Sequence, residues 1–189
     1  MMPQRLIPAL LASVTLAGVP LASSTALAAG TTYAEETQIT EADVAAVQQA
    51  WGNGIVAIGE AYTAGEDYEE AASEHIERFY AYGSKPVLFK PTLAAEDQFR
   101  GSFDEALSYF VGGSIEEDKG FAIAPYTNVR WENEGTLIFD DSAVAMGNYY
   151  FTTTEGNEVK VEYSFVYAPD EDGDLKIVLH HSALPYSPE

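Results

Sequence analysis

Hydrophobic positions recur along this chain at two different periods, and the change of period separates a helical first half from a strand-rich second half. Thr40-Glu41-Ala42-Asp43 has the form of a capping box. Behind it Val44, Val47, Trp51, Ile55, Ile58 and Tyr62 fall three and four residues apart, on one face of a helix. Gly52 and Gly54 each cost that helix about 1 kcal/mol relative to alanine, so a bend is expected there. A second helix is predicted over 67–81, with Tyr68, Ala72, Ile76 and Phe79 inward and Gly83 and Pro86 closing it. Residues 87–89 form a brief extended piece between Pro86 and Pro91. Ser102-Phe103-Asp104-Glu105 is a second capping box, opening a short helix that stops at Gly112-Gly113, with Phe103, Leu107 and Phe110 as its core stripe.

From Phe121 onward the period is two. Strands are predicted over 123–131, 136–140, 143–153, 158–168 and 175–182. Glu155-Gly156-Asn157 and the run 170–174 carry the residues that hairpin connections need. Helices followed by an antiparallel meander predict an α+β fold, N-terminal helices packed on one face of a curved antiparallel sheet. No repeat or internal linker interrupts residues 40–189, which read as one domain.

The N-terminus follows a different pattern. Arg5 precedes an apolar stretch over 6–19, and small residues lead to Ala26-Leu27-Ala28, the order of a cleavable secretory signal. Pro8 and Pro20 leave the stretch too short to span a bilayer comfortably. Residues 1–28 are therefore expected to be removed on export out of the cytoplasm, to a periplasm, and 29–39 to form a flexible entry segment. No later run is apolar enough to cross a membrane.

Charge narrows the partners. Arg5 is the only charged residue of the leader, so the mature chain carries eight basic residues against thirty acidic ones. Nucleic acid and anionic membrane surfaces would be repelled. With no cysteine, the chain has no disulfide, thiolate metal site or thiol nucleophile. About 160 mature residues suffice for one domain with a core of its own, and twelve Tyr, nine Phe and two Trp supply it.

The candidate chemistry is sparse. The acidic run 170–174 fails as a calcium-binding EF-hand loop, because the sixth and twelfth positions counted from Asp170 are Leu175 and His181 rather than glycine and glutamate. Adjacent His180 and His181 point to opposite faces of a strand and cannot readily share a metal. No metal or other cofactor is expected. His180 and Ser182 share a face, but on spacing alone they are two polar residues near a strand end. Lys85, Lys90 and Arg100 gather around Thr92 as a relative island of positive charge able to favour a small anion. Tyr109 sits about 100° round its helix from the core stripe, either facing a cavity or buried as a structural tyrosine.

Three segments carry a resemblance. Phe89-Lys90-Pro91-Thr92-Leu93-Ala94, the stretch from Phe99-Arg100 through Ala106-Leu107-Ser108-Tyr109-Phe110-Val111-Gly112-Gly113, and Leu179-His180-His181-Ser182-Ala183-Leu184-Pro185 occur in this order. Together they resemble the iota-class carbonic anhydrases. That family is built on a domain similar to the association domain of calcium/calmodulin-dependent protein kinase II, within the cone-shaped nuclear-transport-factor-2-like fold. The resemblance covers residues 40–186. It implies a lyase interconverting CO2 and bicarbonate, with Thr92, Tyr109 and Ser182 lining the pocket, and a homodimer or higher homo-oligomer. Family members are described both with and without a metal, and the ligand geometry here suits the metal-free kind. Where the family carries a second serine this chain has Ala183, so the role falls on Ser182. His180 is the candidate to accept or relay the proton of the attacking water, since imidazole titrates near neutrality. Two other readings use the same fold: a non-catalytic ligand-binding or oligomerisation module, and an isomerase or dehydratase with a buried Asp or His base.

Overall fold

The computed structural model describes residues 38–188. The predicted signal peptide and all but the last two residues of the predicted entry segment lie outside them. The first helix, α1, runs unbroken over Glu41–Ala64, with Thr40 as its N-cap in a reciprocal capping box with Asp43 and Gly65 as its left-handed C-cap. Ile39 and Val44 flank the cap and are both buried, the positions of a hydrophobic staple. The expected bend gives way to close packing. A Cβ on Gly54 would lie 2.2 Å from the ring of His75, so this glycine lets α2 (Tyr68–Phe79) approach α1.

The brief extended piece is β1 (Leu88–Lys90), and the second capping box opens α3 (Phe103–Val111) as predicted. Its buried face is Ala106, Ser108, Tyr109 and Phe110, so Tyr109 belongs to the core while Phe103 and Leu107 are only partly covered. Phe121 and Ala122 then fold back, their N–H groups donating to the carbonyls of Tyr109 and Phe110. This satisfies helix-end acceptors that would otherwise be orphaned.

Four strands complete the chain: β2 (Tyr126–Ile138), β3 (Ala143–Thr153), β4 (Glu158–Pro169) and β5 (Leu175–Ala183). The strands predicted over 123–131 and 136–140 are one strand. A register shift between Asn133 and Gly135 absorbs the extra residue as a bulge. Opposite it, a Cβ on Gly147 would lie 2.2 Å from the Glu132 carbonyl oxygen, so only glycine admits the bulged backbone.

The sheet corrects the expected architecture. Its order is β1–β5–β4–β3–β2, and β1 pairs in parallel with β5, so it is mixed rather than antiparallel. Its outer strands β1 and β2 do not meet, which leaves an open sheet and not a closed or strongly curled cone. Nor do all helices precede the strands, since α3 lies between β1 and β2. Three residues bracketed by prolines suit a sheet edge, but nothing in their periodicity reveals a partner some ninety positions later.

The core lies between α1 and the inner sheet face. Trp51 stands at its centre, edge-on to Trp131, Tyr149, Phe151, Phe165 and His180. The buried amide of Gln48 is satisfied in a ring with Tyr163 and Asn133, joining α1 to β4 and β2. Among the described residues no helix is long and apolar enough to cross a membrane.

Candidate active site

Residues 180–182 alternate as a strand requires. His180 and Ser182 are each 3% exposed on the inner face, and His181 points outward. Ala183 follows the same alternation and pairs with the exposed, outward Glu162. The missing second hydroxyl therefore belongs to the outer face.

Thr92 reaches the same place from the turn after β1, which the parallel pairing of Phe89 with His180 sets beside β5. Thr92 Oγ1 and Ser182 Oγ are 2.8 Å apart. Tyr109 of α3 and Tyr149 of β3 close the polar side, and Trp51, Phe89, Phe110 and Phe121 supply the apolar wall. The space offers about 10 Å³ for the centre of a water-sized molecule, about what one water needs. Among the described residues no carboxylate lines it. Thr92, Tyr109, His180 and Ser182, all singled out in the sequence, are thus brought around one cavity.

Tyr149 was missed. Its signal was the inward period-two register of 143–153, which it shares with Ala143, Ala145 and Phe151, but that register marks a core position without marking chemistry. Tyr149 lines the cavity together with Thr92 and Ser182. Burial pushes the phenols of Tyr149 and Tyr109 up, so both stay protonated and able to donate. Burial, aided by the neighbouring His181, holds His180 well below the usual imidazole range and keeps it neutral. Its ring stacks on Phe89 at 4.6 Å and meets the Phe165 edge at 4.1 Å. Tyr80 OH lies 2.8 Å from Nδ1 and Tyr149 OH 3.4 Å from Nε2.

The expected island of positive charge does not survive folding. Arg100 is wholly buried, its Nη2 lying 2.7 Å from Asp118 and 3.8 Å from Glu117. Lys85 donates to the Pro169 carbonyl at the surface, and Lys90 to that of Pro91. Arg100 works instead as an anchor. Its Nη1 donates to the Asp97 carbonyl, its backbone N–H to that of Phe89, and Glu117 accepts from the N–H groups of Ala95, Glu96 and Asp97. The turn carrying Thr92 is tied down on both sides. Beyond the cavity, Tyr109 and Phe121, stacked at 5.6 Å, also line a wider outer pocket of about 520 Å³ with Glu117, Asp118 and Lys119. These two rings are the wall between the cavity and that pocket.

The remaining acidic candidate is a turn. Asp170 accepts from the N–H groups of Asp172 and Asp174 and meets Lys176 at 3.6 Å. Among the described residues no three His, Asp or Glu side chains gather as metal ligands.

Comparison with known proteins gives a consistent result. A family model described as metal-independent carbonic anhydrase matches residues 42–184. A metal-independent carbonic anhydrase from Nostoc sp. is 41% identical over 153 residues, 78% of this chain and 75% of that protein. The crystal structure of an iota-carbonic anhydrase from a cyanobacterium, complexed with bicarbonate, superposes with a TM-score of 0.77 at 38% identity, covering 80% of this chain and 95% of that one. A Xanthomonas campestris protein described as a calcium/calmodulin-dependent protein kinase II association domain shares the fold, with a TM-score of 0.54 at 22% identity over 83% of this chain and 94% of that one.

Proposed function

The chain belongs to the metal-independent, iota-class carbonic anhydrases, and on that premise we propose that the cavity between Thr92, Tyr109 and Ser182 is where it interconverts CO2 and bicarbonate. The observation that carries the assignment of the site is the 2.8 Å contact of Thr92 and Ser182 in the lining of a small cavity walled largely by aromatic rings. CO2 is apolar and enters a space walled by Trp51, Phe89, Phe110 and Phe121 without losing hydration. Hydroxyls at its oxygens stabilise the negative charge that grows as bicarbonate forms. The same hydroxyls orient the attacking water, replacing a random encounter with a positioned one, and the proton it loses as the C–O bond forms passes to solvent water.

Stopped-flow CO2 hydration on the mature protein, with and without chelator, tests this reading. Activity above buffer is expected in both conditions. No activity in either overturns it, and activity lost on chelation overturns its metal-free form.

We also propose that the chain acts as a homo-oligomer, paired through the outer sheet face. Leu88, Leu179, Val166, Val144 and Leu137 are register partners from β1 through β2 and form one apolar row across all five strands. Its ends, Leu88 and Leu137, are 67% and 63% exposed. A second copy offers the same row, which a two-fold interface matches to itself. Export rests on the predicted leader, and N-terminal sequencing of the protein recovered outside the cytoplasm should begin at Ala29.

A further inference from the structure

We propose that Tyr149 is a further substrate-contacting residue of this cavity, and that a one-way hydrogen-bond chain from Trp51 through Tyr80 and His180 turns its proton toward the guest. The proposal rests on the reading of the cavity as the carbonic anhydrase site. It also changes the part His180 plays, from proton acceptor to positioning residue.

The direction of the chain is fixed at its far end. An indole nitrogen can only donate, and Trp51 Nε1 lies 3.3 Å from the Tyr80 hydroxyl. That hydroxyl has one proton, and among the described residues its one other partner is His180 Nδ1 at 2.8 Å. If Nδ1 carried a hydrogen, Tyr80 would accept twice and its own proton would be buried with nothing to receive it, which costs the desolvation of an unpaired donor. Tyr80 is 2% exposed, so water does not relieve it. The arrangement that satisfies every group has Tyr80 donating to Nδ1.

The rest follows. A neutral imidazole that accepts at Nδ1 carries its hydrogen on Nε2. Nε2 faces the Tyr149 hydroxyl at 3.4 Å and donates to it. Phe89 and Phe165 clamp the ring, so it does not turn over to exchange its nitrogens. The Tyr149 oxygen is thereby occupied from behind, and its proton is left for whatever fills the cavity that it lines with Thr92 and Ser182. An O–H aimed at the forming oxyanion stabilises it more than the neutral reactant. The single lone pair of His180, meanwhile, points away from the cavity and is already taken by Tyr80.

Nitrogen-15 NMR of histidine-labelled protein reads the tautomer directly. His180 should show the neutral Nε2–H pattern with a hydrogen-bonded, unprotonated Nδ1. Tyr80→Phe keeps the ring and removes the hydroxyl. It should perturb that pattern and lower kcat roughly fivefold with KM little changed, the effect of about 1 kcal/mol. Tyr149→Phe should lower kcat about a hundredfold while leaving the His180 tautomer on Nε2. Tyr167→Phe, which removes a buried hydroxyl without a partner, should leave kcat unchanged. An Nδ1–H pattern in active wild type overturns the chain, and wild-type kcat in Tyr149→Phe overturns the role of Tyr149. Absence of CO2 hydration in wild type, with the Nε2–H pattern intact, overturns the assigned reaction and the catalytic role together but not the chain.

Discussion

Thr92 and Ser182 are separated by 90 positions in sequence, and their hydroxyls meet at 2.8 Å in a nearly closed cavity. Thr92 donates to Ser182 and leaves the Ser182 proton for the guest, so Thr92→Val and Ser182→Ala should each lower kcat about a hundredfold, measured by stopped-flow hydration. Ala183→Ser should leave kcat within twofold, because position 183 lies on the outer face opposite Glu162. That contrast was half legible in the sequence: alternation alone places 182 and 183 on opposite faces. Which face holds the cavity is set by packing against Trp51 and Phe89. Tyr149 could not be singled out, because its role depends on the His180 ring reaching it from another strand.

Among elements, the connection between β1 and α3 depends most on one residue. Arg100 joins the Thr92 turn to Asp118, and its removal leaves the Asp118 side chain, 1% exposed, without its counter-charge. Arg100→Met should therefore cost about 3–5 kcal/mol in urea unfolding, and CO2 hydration should fall as well because Thr92 loses its anchor. The sequence presented Arg100 as part of a positive island; burial and three nearby carboxylates reverse that reading. Packing of α1 on α2 is tested by Gly54→Ala, whose methyl would overlap the His75 ring. A loss of about 1–3 kcal/mol is expected, the usual cost of overpacking a filled site. Both capping boxes were legible, since a cap depends on residues three apart.

At the scale of the molecule, stability should fall in acid. Burial, with a smaller contribution from Arg78, lowers His75 to about 3, and burial lowers His180 in the same direction. The unfolded chain protonates both near 6.5, so below that pH it binds protons the native state refuses. Stability is fully present above about 6.5 and is lost as pH falls toward about 3, by up to about 1.4 kcal/mol per pH unit for each histidine. Urea unfolding of wild type and His75→Gln across pH 4–8 should show a shallower slope in the variant. Assembly is also a property of this scale: Leu137→Glu, breaking the outer apolar row, should convert the oligomer to monomers in light scattering without changing the circular dichroism. A monomeric wild type would refute pairing through this face.

The sequence by itself determined what depends on neighbours in the chain: the helix caps, the two hydrophobic periods, the α+β class and the shared face of His180 and Ser182. Its ordered motifs also pointed to the family that the comparisons establish. Tertiary structure alone decided that the sheet is mixed and open, that Arg100 is an anchor, and that the hydrogen bonds run from Trp51 toward Tyr149. Each of these depends on groups far apart in sequence, where burial removes water as an alternative partner. Local periodicity carries no record of such pairings.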